Sequence, residues 1–234
     1  MRFAIVAAGA LAASAVVLSG NTARADATPT GIEVGLRSGY AIPLGNLVGA
    51  PSGQTAPNLS DTISGMVPIW LDAGYRLNPN MMIGAFFQYG LAFTNNGTKS
   101  LFSGCGTSGV SCSANDLMFG AQFHYHFMPD QTIDPWAGIG VGYEILNGSA
   151  SQGGQSLGGA SFNGFQFVNL QVGGDYKVMP NLGVGPFIAF SLGEYSGCSF
   201  NGPNGQSAGT CTINNSAMHE WLTFGIRGAY DINL

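Results

Sequence analysis

Charge is what this sequence has least of: Asp, Glu, Lys and Arg make up 8% of its 234 residues, where soluble domains carry about 25%. Lys and Arg number only seven and the net charge is −5. No basic patch can form, which excludes nucleic acid as a partner. Beyond the first two dozen residues there is no run of about 20 apolar residues, so a helical membrane protein is excluded as well. The four cysteines show no CxxC spacing, and neither cysteine-bearing segment contains a His, which argues against a metal centre there. Gly138, Gly140 and Gly142 alternate, but Tyr143 stands where a dinucleotide fingerprint needs its third glycine. They are expected to make room for Trp136 and for long interior charges. No cofactor is expected.

What the sequence does have is glycine, 37 residues, and aromatic side chains, 11%. Low charge with many aromatics suits a membrane protein, and without apolar helices the remaining solution is a closed barrel of alternating strands. The first segment reads as an export signal. Met1-Arg2-Phe3 is a short basic start, 4–18 an apolar core, and Ala23-Arg24-Ala25 a small-x-small cleavage site. Residues 1–25 are therefore expected to be removed, leaving 26–234 as one domain. Fifteen apolar residues are too few to span as an anchor helix, and no Cys at the cleavage point marks a lipoprotein.

The mature chain alternates between apolar and polar or small residues with period two, the mark of strands with two faces. Eight such stretches are predicted, near 31–42, 66–77, 82–94, 115–127, 133–146, 165–178, 182–195 and 218–234. The last runs Leu222, Phe224, Ile226, Gly228, Tyr230, Ile232, Leu234 against Thr223, Gly225, Arg227, Ala229, Asp231 and Asn233. Connections alternate too. Tight turns lie at Asn78-Pro79-Asn80, Pro129-Asp130-Gln131 and Met179-Pro180-Asn181, and long Gly/Ser/Asn-rich loops over 43–65, 95–114, 147–163 and 196–217. On the apolar face, Tyr75, Tyr125, Tyr176 and Tyr230 fall near the turn ends of the even strands. Tyr40, Phe93, Tyr143 and Phe190 fall near the loop ends of the odd ones, as two interfacial belts would.

This pattern resembles the small eight-stranded outer-membrane β-barrels of Gram-negative bacteria, the OmpA-like, OmpX-like and OmpW-like proteins. The likeness covers nearly all of the mature chain and is strongest at Pro135-Trp136-Ala137-Gly138-Ile139-Gly140-Val141-Gly142-Tyr143. It implies an all-β, antiparallel, up-and-down transmembrane barrel with short periplasmic turns and long external loops. It also implies an outer-membrane location, contact with outer-membrane lipid, and delivery by the outer-membrane insertion machinery through the C-terminal strand. The final residue of such strands is usually aromatic; Leu234 departs from this. No peptidoglycan-anchoring domain is expected after it, and a monomer is. The family spans anchors, adhesins, narrow channels and lipid-modifying enzymes, so the resemblance does not select a function.

Three groups of side chains carry the functional expectations. By parity, Arg37, Arg76, Lys177 and Arg227 point into the lumen, facing Glu33, Asp72, Glu144, Asp175 and Asp231, while Lys99 lies in a loop. Eight strands leave an interior that side chains can fill, and buried charges must pair. An ion-pair plug is one reading, a narrow polar pore the other. Cys105 with Cys112 and Cys198 with Cys211 each fall within one loop, so loop-internal disulfides are favoured over the other connectivities in an oxidising compartment. Last, three histidines raise an enzyme hypothesis. His124 and His126 are predicted to face the lumen away from lipid, and His219, with Ser216 and Glu220, to sit at the rim. Lipid modification ranks third, behind a surface or structural role through the loops and passage of small solutes, including a lateral path. No external ligand can be named from the loop sequences. The Asn96 and Asn147 sequons are inert in this setting.

Overall fold

The computed structural model describes residues 30–95, 104–105, 109–203 and 206–233. The predicted export segment, Lys99, the Asn96 sequon and Leu234 lie outside them. The alternating stretches form β1 (Gly31–Gly45), β2 (Ile63–Asn78), β3 (Met81–Thr94), β4 (Val110–His126), β5 (Ile133–Gln152), β6 (Gln155–Met179), β7 (Leu182–Asn201), β8 (Ser207–Thr212) and β9 (Met218–Asn233). Neighbours pair antiparallel from β1 to β7, and β9 pairs with both β7 and β1, closing eight strands into a ring. The closing seam is continuous, from Gly31 opposite Asn233 to Gly45 opposite His219. Closure removes every sheet edge within the ring, as a lipid environment requires of backbone N–H and C=O groups. β8 stands outside the ring and, among the described residues, pairs only with the end of β7.

The two faces differ sharply. Leu36, Leu71, Ile83, Ile139, Val172 and Ile188 point outward and are about half exposed, while their inward neighbours Arg37, Asp72, Met82, Gly138, Gln171 and Phe187 line the interior. A continuous apolar wall of this kind would aggregate in water and is stable against acyl chains. All eight predicted belt residues lie on this outer face, with Tyr143 packed edge-on against Phe165 at 5.5 Å.

Two loop assignments require correction. The segment 147–163 is not a loop: β5 and β6 continue their ladder to Gln152 opposite Gln155, joined by Gly153-Gly154. Both glycines have positive φ (57° and 83°), the conformation a tight two-residue hairpin turn demands. Likewise 196–217 contains the end of β7 and all of β8. These extensions lack apolar alternation because both faces meet water, so the periodicity that marks a half-buried strand is absent. The result is a five-strand sheet, β4 to β8, projecting beyond the rest of the barrel rim. The segment 43–65 is not purely polar either. It carries the four-residue helix α1 (Leu59–Thr62) and returns Leu47, Leu59 and Ile63 into the core. Within β6 the ladder slips between Gln166 and Val168, a bulge that turns both Gln166 and Asn169 inward.

Leu71, near the middle of the apolar wall, provides a test. Leu71→Arg should destabilise the barrel in vesicles by about 2–4 kcal/mol, the cost of a cation near the bilayer midplane. Leu157→Arg, on the projecting hairpin, should cost no more than about 0.5 kcal/mol. Chemical unfolding of the two variants would show the difference, and equal costs would refute the membrane placement.

Candidate functional site

The interior is filled in layers. Nearest the turn end, Arg76 bridges Glu33 (2.6 Å) and Asp231 (2.8 Å), and its Nη1 donates to the Pro79 carbonyl (2.9 Å). Lys177 lies at the rim, 3.9 Å from Asp231. The next layer is centred on two guanidiniums, both 0% exposed. Arg227 is forked between Asp175 and Glu33 and stacks over Trp136. Arg37 donates to Asp72 (2.6 Å) and to Gln171 (2.6 Å), and stands over the Trp70 and Trp136 rings at 4.7 and 5.1 Å. The amides continue the network: Gln122 donates to Asp72 (2.8 Å), and Gln171 to Gln122 (3.3 Å). Guanidinium planes between carboxylates and indole faces satisfy both of Arg's binding modes.

His124 and His126 do lie in this part of the lumen. His124 stacks on Trp136 at 5.1 Å and faces Gln171 through Nε2 at 3.0 Å. His126 faces Asp134 through Nδ1 at 2.8 Å. Space for the large rings comes from glycine on the opposing strand: a Cβ on Gly138 would sit 2.5 Å from His124, and one on Gly173 2.5 Å from Trp136. Gly173 rather than the Gly138–Gly142 series thus accommodates Trp136, while Gly140 and Gly142 flank Phe86.

Above the ionic layers, Trp70, Phe86, Phe187 and Met118 close the cross-section, with Trp70 against Phe86 at 5.5 Å. A separate polar cluster follows. Glu144 accepts from Tyr195 (2.5 Å) and from Trp221 Nε1 (3.0 Å), faces His219 Nε2 at 3.0 Å, and meets the Asp116 carboxyl. This corrects two expectations. Glu144 does not join the Arg/Lys network, because it lies a full layer away from any guanidinium. His219 is not a rim residue: it is 1% exposed and stacks on Tyr195 at 4.0 Å. Ser216 is exposed, and Glu220 sits on the opposite strand face, so no Ser–His–acid arrangement forms. Asp116, Asp134 and Tyr195 were not singled out by charge pairing, although the inward parity of β4, β5 and β7 already marks all three.

The loop end holds an apolar cavity of about 280 Å³, lined by Leu47, Ile63, Ala114, Leu146, Phe162 and Phe200 among others. Around it, Cys105 pairs with Cys112 (Cα–Cα 5.7 Å) and Cys198 with Cys211 (Cα–Cα 5.0 Å). The second pair ties β7 to β8 at directly opposed positions.

No family model matches the sequence, and no curated protein matches it. The fold is similar to solved outer-membrane proteins. The chain aligns with a major outer membrane protein from Thermus thermophilus at 13% identity, over 86% of this chain and 99% of that one, with a TM-score of 0.53. It aligns with the outer membrane protein AlkL at 15% identity, over 92% and 97%, with a TM-score of 0.51. At these identities the likeness is one of fold: an all-β, antiparallel, transmembrane barrel of the small outer-membrane type.

The Arg37–Asp72 pair allows a direct test. Arg37→Ala strands a buried carboxylate and should destabilise the barrel by about 3–5 kcal/mol. Adding Asp72→Asn should recover most of that loss, because the stranded charge is then gone. Guanidinium unfolding of single and double variants measures both; a single variant as stable as the parent would refute the pairing.

Proposed function

We propose that this chain is exported through removal of residues 1–25 and acts, as a monomer, as a closed surface barrel of the outer membrane. Its lumen serves as a structural plug, and its working part is the projecting sheet of β4 to β8. The observation that carries this reading is the complete burial of Arg37 and Arg227 among carboxylates and indole rings. A conducting pore would keep such charges hydrated. Disulfides brace the projecting sheet at Cys112 on β4 and across β7 and β8, where pairing alone must hold strands that lack an apolar face. Such a clipped, polar sheet suits contact with external partners. The Glu144–His219 cluster is read as structural, and the role as non-enzymatic.

A second reading rests on the cavity at the loop end and on the β1–β2 ladder beside it, where Gly39 and Tyr40 have no ladder partners opposite Pro68 and Val67. Pro68 has no N–H to donate, so the ladder is broken there, as it is on the β6–β7 side at Gly174 and Asp175. That arrangement favours lateral passage of small uncharged apolar solutes over an aqueous channel.

In planar bilayers the refolded mature protein should show no stable conductance steps. Reproducible single-channel steps from demonstrably folded protein would overturn the plug. Reduction of the disulfides should open the projecting sheet to chymotrypsin near Phe200 while the barrel stays protease-resistant; protection unchanged by reduction would remove the bracing role.

A further inference from the structure

We propose that Glu33, His124 and His126 form a binding site for one divalent transition-metal ion of the zinc class, inside the barrel near its turn end. One ligand atom from each residue lies within 4.8 Å of the others. All three residues are 1% exposed or less. His124 Nδ1 and His126 Nε2 make no hydrogen bond, and the third atom, Glu33 Oε2, is held by the Arg76 guanidinium alone, at 2.6 Å.

The orientation of His126 sharpens the case. Asp134 Oδ2 lies 2.8 Å from Nδ1, and the Asp134 carboxylate is itself held by the Met128 N–H at 3.2 Å. With Nδ1–H donating to Asp134, Nε2 presents its lone pair toward Glu33 Oε2, 3.7 Å away. Arg76 Nη2 shares that oxygen at 2.6 Å, and an ion seated between Nε2 and Oε2 would take its place there. Ligands about 2.0–2.1 Å from a tetrahedral zinc ion lie about 3.4 Å apart, close to the 3.7 Å of the His126–Glu33 pair, and the whole set, within 4.8 Å, would draw in around the ion. A carboxylate behind a ligating imidazole is the usual outer support of such a ligand, fixing its tautomer and raising its basicity. Two imidazoles and one carboxylate make a three-ligand set with one position open, suited to zinc, copper or nickel rather than to calcium or magnesium.

The fixed charges around the site are net negative. Around the site stand five carboxylates, Glu33, Asp72, Asp134, Asp175 and Asp231, and three guanidiniums, Arg37, Arg76 and Arg227. This leaves two negative charges inside the lumen. Lys177 offsets one from the rim, 3.9 Å from Asp231 and with its side chain 11% exposed. Arg76 now holds Glu33 Oε2 at 2.6 Å; when the ion takes that oxygen, Arg76 keeps Asp231 and the Pro79 carbonyl.

The test titrates zinc(II) alone into untagged, detergent-refolded mature protein by calorimetry, with cobalt(II) absorption reporting the coordination. One ion per chain is expected, with the visible bands of a four-coordinate cobalt site. His124→Gln and His126→Gln should each weaken binding at least tenfold, Asp134→Asn by about 10–100-fold, and His219→Gln not at all. Heat-modifiable gel mobility establishes that each variant is folded. Folded parent protein that binds no zinc overturns the proposal without recourse to any variant. So does binding that survives both His124→Gln and His126→Gln.

Discussion

A charge removed from water must be matched within reach of its own side chain, and in an eight-stranded barrel there is almost no water to share the task. That constraint organises the interior. Arg37 and Arg227 occupy the centre of the lumen, Arg37 held at its edge by Asp72 and the Gln171 amide and Arg227 by Glu33 and Asp175, each with tryptophan at its face. Replacing either partner leaves an uncompensated ion in a medium of low effective dielectric, which costs more than the intact pair contributes. The network therefore acts less as a source of net stability than as a demand for one register: Glu33, Asp72, Asp175 and Asp231 come from four strands, and only the observed ladder brings them together.

The rings follow from the ions. A guanidinium plane needs a flat partner, and Trp136 serves both Arg37 and Arg227 from one side chain. Its own bulk then requires glycine at Gly173. Above, the aromatic layer separates the ionic plug from a second cluster, in which Glu144 is satisfied by neutral donors from Tyr195 and Trp221 and faces His219. Two polar systems are thus stacked in one tube, separated by a layer of Trp70, Phe86, Phe187 and Met118 among the buried amides Gln88, Gln166 and Asn169. The projecting sheet above has no lumen to fill, and is held by pairing and disulfides instead.

The eight strands of the ring and their facing were legible in the sequence because both are written in the period-two alternation that lipid imposes on one face and the lumen on the other. Arg37, Arg76, Arg227, Asp72, Asp175 and Asp231 could be placed by parity alone. What parity lacks is height along the barrel axis, and this is why Glu144 was grouped with guanidiniums a layer away and His219 was set at the rim. The β5–β6 extension was invisible for a different reason: strands wet on both faces carry no alternation, and Gly153-Gly154 is the one local signal of the hairpin. Leu47 and Ile63 returned to the core through tertiary folding of a segment whose composition reads as loop. The convergence of His126, Asp134 and Glu33 depends on register between β1, β4 and β5, which no spacing in the sequence encodes.

If the plug is complete, water and ions do not occupy the middle of the lumen. A single thiol placed there tests this most directly, at Ala189, an inward-facing position that is 3% exposed. Its reaction with a small, charged methanethiosulfonate would be followed in the folded protein. A filled lumen predicts that Ala189→Cys reacts orders of magnitude more slowly than Ser207→Cys on the projecting sheet, from either side of the membrane. Comparable rates at the two positions would show an open, hydrated lumen and contradict the plug.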